Sequence, residues 1–378
     1  MGKECNVPGS TGVPLLSDQT LAFWREPLEF CRKRTEKHGS VFQTRLLNHG
    51  TIVVCDYDTA REVLALPEEA ASASEAYDDL FHDVFGEESI LLTTHNREHI
   101  RLKSCLLTWL APSNIEALDP LLTNVAARTK ASSDEPLDLY QNLKVVCLHA
   151  TLMIMLGLEQ SVIYEQHLER LLRDHWHGIT GLLSTFNLGL GSKSTVATAQ
   201  EARDILIRLI QDQLVRVREE PDNAALTFLR QFDKALDEYD NAFKADQLLL
   251  LVSALVPKAL AASLTLAVLR ETQRCYPSMF AVRRHVKKNE GVDVGRFHIP
   301  LGYHIMVIIP LANADPAMYE DPQHRLIFHD WAQRGTRAPQ SFNPDRWAEN
   351  VPRPLTFGHG THGWLPASPT TQPAQDEH

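Results

Sequence analysis

The residues best suited to chemistry lie near the C-terminus, in Phe357-Gly358-His359-Gly360-Thr361-His362-Gly363-Trp364. Three glycines in seven residues describe a tight loop whose backbone can approach a bound group closely. Its two imidazoles can donate hydrogen bonds or ligate a metal. Upstream, Glu271 and Arg274 stand three residues apart, which lets a carboxylate and a guanidinium pair on one helical face. His99 and Lys103 share a face in the same way, and Arg283 and Arg284 place two guanidiniums in a β-prone run. Arg346 sits in Phe342-Asn-Pro-Asp-Arg346-Trp347. His175 and His177 are two residues apart, do not share a helical face, and are not read as a metal pair.

Several elements must position these groups. Pro8 to Pro14 is turn-forming and belongs to a proline-rich opening segment, residues 1–20. Leu21 to His38 has apolar residues at helical spacing, with Gly39 as its C-cap. Val41–Leu47 and Thr51–Cys55 are β-rich runs split by Asn48-His-Gly50, a hairpin signal. Asp58 is expected to cap a short helix ending at Leu66, and residues 71–94 are polar, acidic and irregular. His95 to Leu110 is a basic amphipathic helix. Residues 114–230 read as predominantly helical, with Leu139–Leu156 ended by Gly157 and a second helix over Glu201–Arg218. Gly178 to Gly191 lacks charge, is rich in glycine, and interrupts them. Asp246–Leu269 is an apolar helix holding Pro257 and Lys258, and Leu264–Cys275 carries Glu271 and Arg274. Ser278–Lys287 is a strand, and Gly295–Pro300 with Leu301–Ile309 reads as strand, turn, strand. The fold class is mainly α with small β regions.

Composition narrows the function. An apolar content of 44% with 22% charged residues is that of a soluble globular protein of one large domain or two ordinary ones. A net charge of −11 argues against nucleic-acid binding, which needs clustered cations. The six cysteines are scattered without metal-ligand spacing and read as free thiols of a reducing compartment. The most apolar run, Leu248–Val256, is half the roughly 20 residues that span a bilayer. The N-terminus lacks the pattern of a signal peptide. A cytoplasmic or peripherally membrane-associated protein is expected.

In their order, Glu271-x-x-Arg274, the Phe342–Trp347 box and the Phe357–Gly363 loop resemble the C-terminal half of the haem-thiolate monooxygenases, the cytochrome P450 superfamily. The resemblance runs from Pro8 to Gly363. It implies a single domain over residues 1–378, with haem between the central long helix and the C-terminal glycine-rich loop. It further implies that His99, Lys103 and Arg283 receive haem propionates and that Phe357, Gly360 and His362 line the cofactor. Glu271, Arg274 and Arg346 would form a buried structural cluster holding the loop to the core.

The family loop reads F-x-x-G-x-x-x-C-x-G, whose cysteine thiolate is the axial ligand of the iron. Here Trp364 stands at the cysteine position and Pro366 at that of the last glycine. Tryptophan offers only an N–H donor, so His359 and His362 are the candidate ligands nearby. The central helix reads Ala254-Leu-Val-Pro-Lys258 where the family carries a glycine–threonine motif. Twelve residues separate Lys258 from Glu271, where the family has several dozen, and seventeen (324–340) intervene as an atypical insertion. Residues 364–378 form a divergent tail. This register is that of a truncated or rearranged member.

The implied activity is haem-dependent oxidoreduction of the monooxygenase type, incorporating oxygen from O2. Its substrates would be small, hydrophobic, and lipid-, sterol- or retinoid-like. A reductase or ferredoxin is the implied redox partner. The missing cysteine and threonine leave a second reading open: a catalytically inactive member, a lipid isomerase or dehydratase, or a binding shell.

Overall fold

The computed structural model of the chain describes residues 4–77, 139–180, 195–259, 273–277, 279–315 and 354–357, with 89, 99, 103, 104, 271 and 359 beside them. It divides into two compact units, residues 1–76 with 263–378 and residues 77–262, which are taken in turn. The fold is mainly helical with small sheets, as the sequence pattern predicts.

In the first unit α1 (Thr20–Arg25) and α2 (Pro27–His38) replace the one helix expected over Leu21–His38. Proline disfavours helical geometry in the residue before it, and Glu26 accordingly sits at φ −146° and ψ 72°. Gly39 ends α2 at φ 94°, a conformation glycine adopts without strain. Strands β1 (Val41–Leu46) and β2 (His49–Val54) form the expected hairpin with a different turn. Leu47 and Asn48, at φ 53° and 60°, make a tight two-residue turn, and Gly50 pairs inside the ladder with Arg45.

Helix α3 (Tyr57–Ala65) is capped by Asp56, whose Oδ1 accepts from the Thr59 amide at 2.8 Å. Asp58 therefore lies within the first turn and does not cap it. Strands β3 (Ala71–Ser72), β4 (Ala281–Val286), β5 (Val292–Val294), β6 (Phe297–Ile299) and β7 (His304–Ile308) complete the unit's described strands.

The larger sheet has the order β1-β2-β7-β4-β3, with only the β2–β7 pairing parallel. Segments far apart in sequence are thus joined at its centre. β6 and β7 are the strands expected on either side of a turn, but they do not pair with each other: β6 pairs with β5, and β7 pairs with β2 and β4. Alternation sorts the side chains onto two faces. Ile52, Val54, Ile305 and Val307 pack with Ala60, Val63 and Leu64 of α3 and with the β5–β6 ribbon. Phe42, Val53, Met306 and Ile308 pack with Phe23, Phe30 and Cys31 of the first two helices.

The second unit holds α4 (Leu139–Leu156), α5 (Gln160–Glu165), α6 (Leu168–Thr180), α7 (Thr195–Glu219), α8 (Thr227–Ala235) and α9 (Asn241–Ala259). α4 matches its predicted bounds, with Gly157 at φ 62° after it. α7 begins six residues before the predicted Glu201, and α9 begins five before Asp246. α7 packs on α6, and α9 packs on both α4 and α7. Buried Lys244 ties α9 to α8 through Asp233, at 2.7 Å, and Asp233 also accepts Arg218 at 2.6 Å. No described helix is long and apolar enough to cross a membrane.

Candidate functional site

The strongest polar feature of the first unit is the pair foreseen between Glu271 and Arg274. The guanidinium donates from Nε to Oε2 at 2.9 Å and from Nη2 to Oε1 at 2.7 Å, a bidentate fork. Both side chains are buried, 0% and 1% exposed, which separates this pair from a surface ion pair. Nη2 also reaches Cys275 Sγ at 2.9 Å. Arg346, the expected third member, lies outside the described residues.

One step away, the backbone carbonyl of Gln273 accepts from Thr356 Oγ1 at 2.7 Å. Thr356 lies in a 3-10 turn, Leu355–Phe357, that leads into the glycine-rich loop. Asn313 completes the tie: its Oδ1 accepts from the Leu355 amide at 2.7 Å and its Nδ2 donates to Thr356 Oγ1 at 3.2 Å. Two residues on, Asp315 Oδ2 accepts from the Tyr57 amide at 2.7 Å, at the start of α3. Asn313 and Asp315 thus tether the turn before the glycine loop, the ion-paired helical segment and α3. Sequence reading missed Asn313 and Thr356, and a polar residue closing the apolar run Ile305–Ala312 was the available signal.

Asn313 is fully buried, so its loss leaves buried groups without partners. Asn313→Ala is expected to cost about 1–3 kcal/mol in chemical denaturation. An unchanged midpoint would show that Asn313 does not tether these segments.

Arg283 and Arg284, adjacent on β4, are both buried and lie on opposite faces of the sheet. Arg283 stands opposite Met306, and its Nη2 meets His304 Nδ1 at 3.0 Å. Burial, then the Arg283 charge and the neighbouring His49 and His285 rings, push the His304 pKa down to about 2, so the ring is neutral and Nδ1 accepts. Those rings lie 4.5 and 4.8 Å from His304, centroid to centroid. Arg284 stands opposite Ile305, on the face whose core includes Leu355 of the turn before the loop.

His359 is partly buried, and burial together with the Arg61 charge pushes its pKa down, favouring the neutral imidazole. In the second unit His99, Lys103 and Ser104 are helical, as expected, and burial lowers the pKa of Lys103. Phe357 closes the 3-10 turn. Gly360, His362 and Trp364 lie outside the described residues.

The family model for Cytochrome P450 matches residues 7–255 and 261–325. Cytochrome P450 87A3 of Oryza sativa subsp. japonica is 21% identical over 87% of this chain and 72% of its own length. Cytochrome P450 85A1 of the same plant is 22% identical over 94% of this chain and 81% of its own. A solved structure of retinoic acid-bound cyanobacterial CYP120A1 has a TM-score of 0.74 at 18% identity, covering 95% of this chain and 87% of that one. The family match stops before the Phe342–Trp347 box and the glycine-rich loop. Across the larger part of the sequence the match and the like fold agree, and the chain belongs to the cytochrome P450 family, whose cofactor is haem.

Proposed function

We propose that the chain is a haem-binding oxidoreductase of the monooxygenase type that takes small hydrophobic, lipid-, sterol- or retinoid-like molecules. Family membership supports the class of chemistry. The observation that carries the reading is the buried Glu271–Arg274 fork tied through Gln273 and Thr356 to the start of the glycine-rich loop. The cyanobacterial structure with bound retinoic acid supports the substrate class. A reductase or ferredoxin would supply electrons.

The described cations fit the carboxylates of haem. Arg283 is a buried guanidinium beside an imidazole held neutral, and Lys103 is a partly buried ammonium, so an anion would stabilise each. Arg283 would hold one propionate, and Lys103 with His99 another. The iron fits less well. Trp364, at the family's cysteine position, has no lone pair to give, whereas His359 is an imidazole favoured neutral by burial. Haem supplies O–O cleavage under a thiolate and peroxidase- or globin-like chemistry under an imidazole.

Trp364 and Lys258 favour a second reading, in which the fold binds hydrophobic molecules without oxygen chemistry. The absorbance of haem-supplemented protein, oxidised and then reduced under carbon monoxide, separates the two. A red-shifted Soret band means a thiolate reaches the iron, and a globin-like band points to His359 or His362. A folded sample without a haem band leaves the second reading in place and overturns the first.

A further inference from the structure

A guanidinium grips a carboxylate well only when its plane is fixed in advance, because its donors lie in one rigid fork. Arg283 is buried on β4, and one acceptor that meets it is an imidazole: Nη2 lies 3.0 Å from His304 Nδ1. A guanidinium has only donors, so Nδ1 accepts and the His304 proton sits on Nε2. A carboxylate in that place would bring a counter-charge to Arg283. The neutral ring holds one prong of the fork and brings none.

The ring is itself clamped. His304 is buried on β7, the strand between β2 and β4, and each neighbouring strand sends an imidazole against it. His49 of β2 lies 4.5 Å away at a tilt of 48°, and His285 of β4 lies 4.8 Å away, stacked within 22°. Rings packed at such separations leave the middle one little room to turn. His285 is anchored in turn, with Nδ1 3.2 Å from Glu75 Oε2, while Glu75 Oε1 meets Lys287 Nζ at 2.6 Å. Burial and the Arg283 charge keep the His304 ring neutral, so the acceptor persists across the ordinary pH range.

Packing alone does not call for this ring. The next three residues of β7 are Ile305, Met306 and Val307, and a buried imidazole adds a desolvation cost that an aliphatic side chain lacks. What the imidazole supplies is a fixed nitrogen beside a buried guanidinium.

We propose that His304 is a positioning residue that orients the Arg283 fork toward a haem propionate. The proposal rests on the haem reading above and deepens it, by naming what sets the direction of that cation. His304 acts through Arg283 and needs no contact with the cofactor.

The full chain would be titrated with two probes, iron protoporphyrin IX and its dimethyl ester, whose propionates carry no charge. His304→Phe keeps an aromatic ring between His49 and His285 and removes the acceptor. It is expected to weaken binding of iron protoporphyrin IX about tenfold, the order of one lost hydrogen bond to a charged group, and to leave the ester within about twofold. His304→Asn, whose Oδ1 can accept from Arg283, is expected to recover most of that loss. Each variant is read as the ratio of the two affinities, so a general loosening of the fold, which weakens both, is not mistaken for lost positioning. If the phenylalanine variant does not fold, His304→Leu is read in the same way. Unchanged binding of both probes, equal weakening of both, or an asparagine variant no better than phenylalanine would overturn the role of His304 and leave the haem reading standing. An unaltered chain that binds the two probes equally would show that no cation holds a propionate, and would overturn the role as well. Uptake of neither probe by the unaltered chain would overturn the haem reading itself, and this role with it.

Discussion

Glu271→Gln is expected to cost the fold about 3–5 kcal/mol and to lower soluble yield and haem content together. Glutamine keeps the volume, so no cavity complicates the reading. The substitution removes the negative charge and turns one of the two accepting oxygens into a donor facing a guanidinium nitrogen. Arg274, 2% exposed, would keep its charge without its ionic partner. The loss is a large share of the roughly 5–15 kcal/mol that holds a typical domain together.

A control separates burial from pairing. Glu29 and Lys33 on α2 lie 3.4 Å apart with side chains 46% and 69% exposed, and breaking such a pair costs about 0–1 kcal/mol. Glu29→Gln should therefore leave the urea midpoint nearly unmoved, while Glu271→Gln shifts it strongly. Equal small shifts in both variants would show that the fork contributes no more than a surface contact. In that case it could not be what fixes the glycine-rich loop.

What was legible in the sequence, and what was not, follows the range of the forces involved. Leu139–Leu156 reads correctly because its apolar run and the glycine after it are local signals, as is the Glu271–Arg274 spacing. The break at Pro27 is equally local, but the apolar spacing continues through it and so hides it. The hairpin turn misled because Leu47 is not a residue expected at positive φ, whereas Asn48 and Gly50 are.

The longer-range features leave no periodic trace. β7 enters the sheet between β2 and β4, pairing residues some 250 positions apart. Asn313 and Thr356 find each other across 43 residues. A polar side chain that satisfies distant backbone groups looks, in one sequence, like any other asparagine. The candidate site is legible where pairs lie within one helical turn and hidden where it depends on tertiary hydrogen bonds.

Trp364→Cys tests how far the chain has moved from its family. The expected result is a red-shifted Soret band in the reduced, carbon monoxide-bound state, because thiolate donation to iron is what such a band reports. The substitution restores a cysteine four residues after Gly360, the family's own spacing. Pairing it with His359→Ala makes the result decisive. If an imidazole ligates the iron in the natural sequence, His359→Ala alone should lose a globin-like band that Trp364→Cys does not need. A thiolate band in the cysteine variant, with or without His359, would mean that the pocket survives and only the ligand was exchanged. A cysteine variant that folds, takes up no haem and shows no such band would locate the loss elsewhere. The short connection between Lys258 and Glu271 would then be the first place to look, because it removes length from the segment expected to cross the cofactor. That outcome would favour a hydrophobic-ligand binder over a monooxygenase.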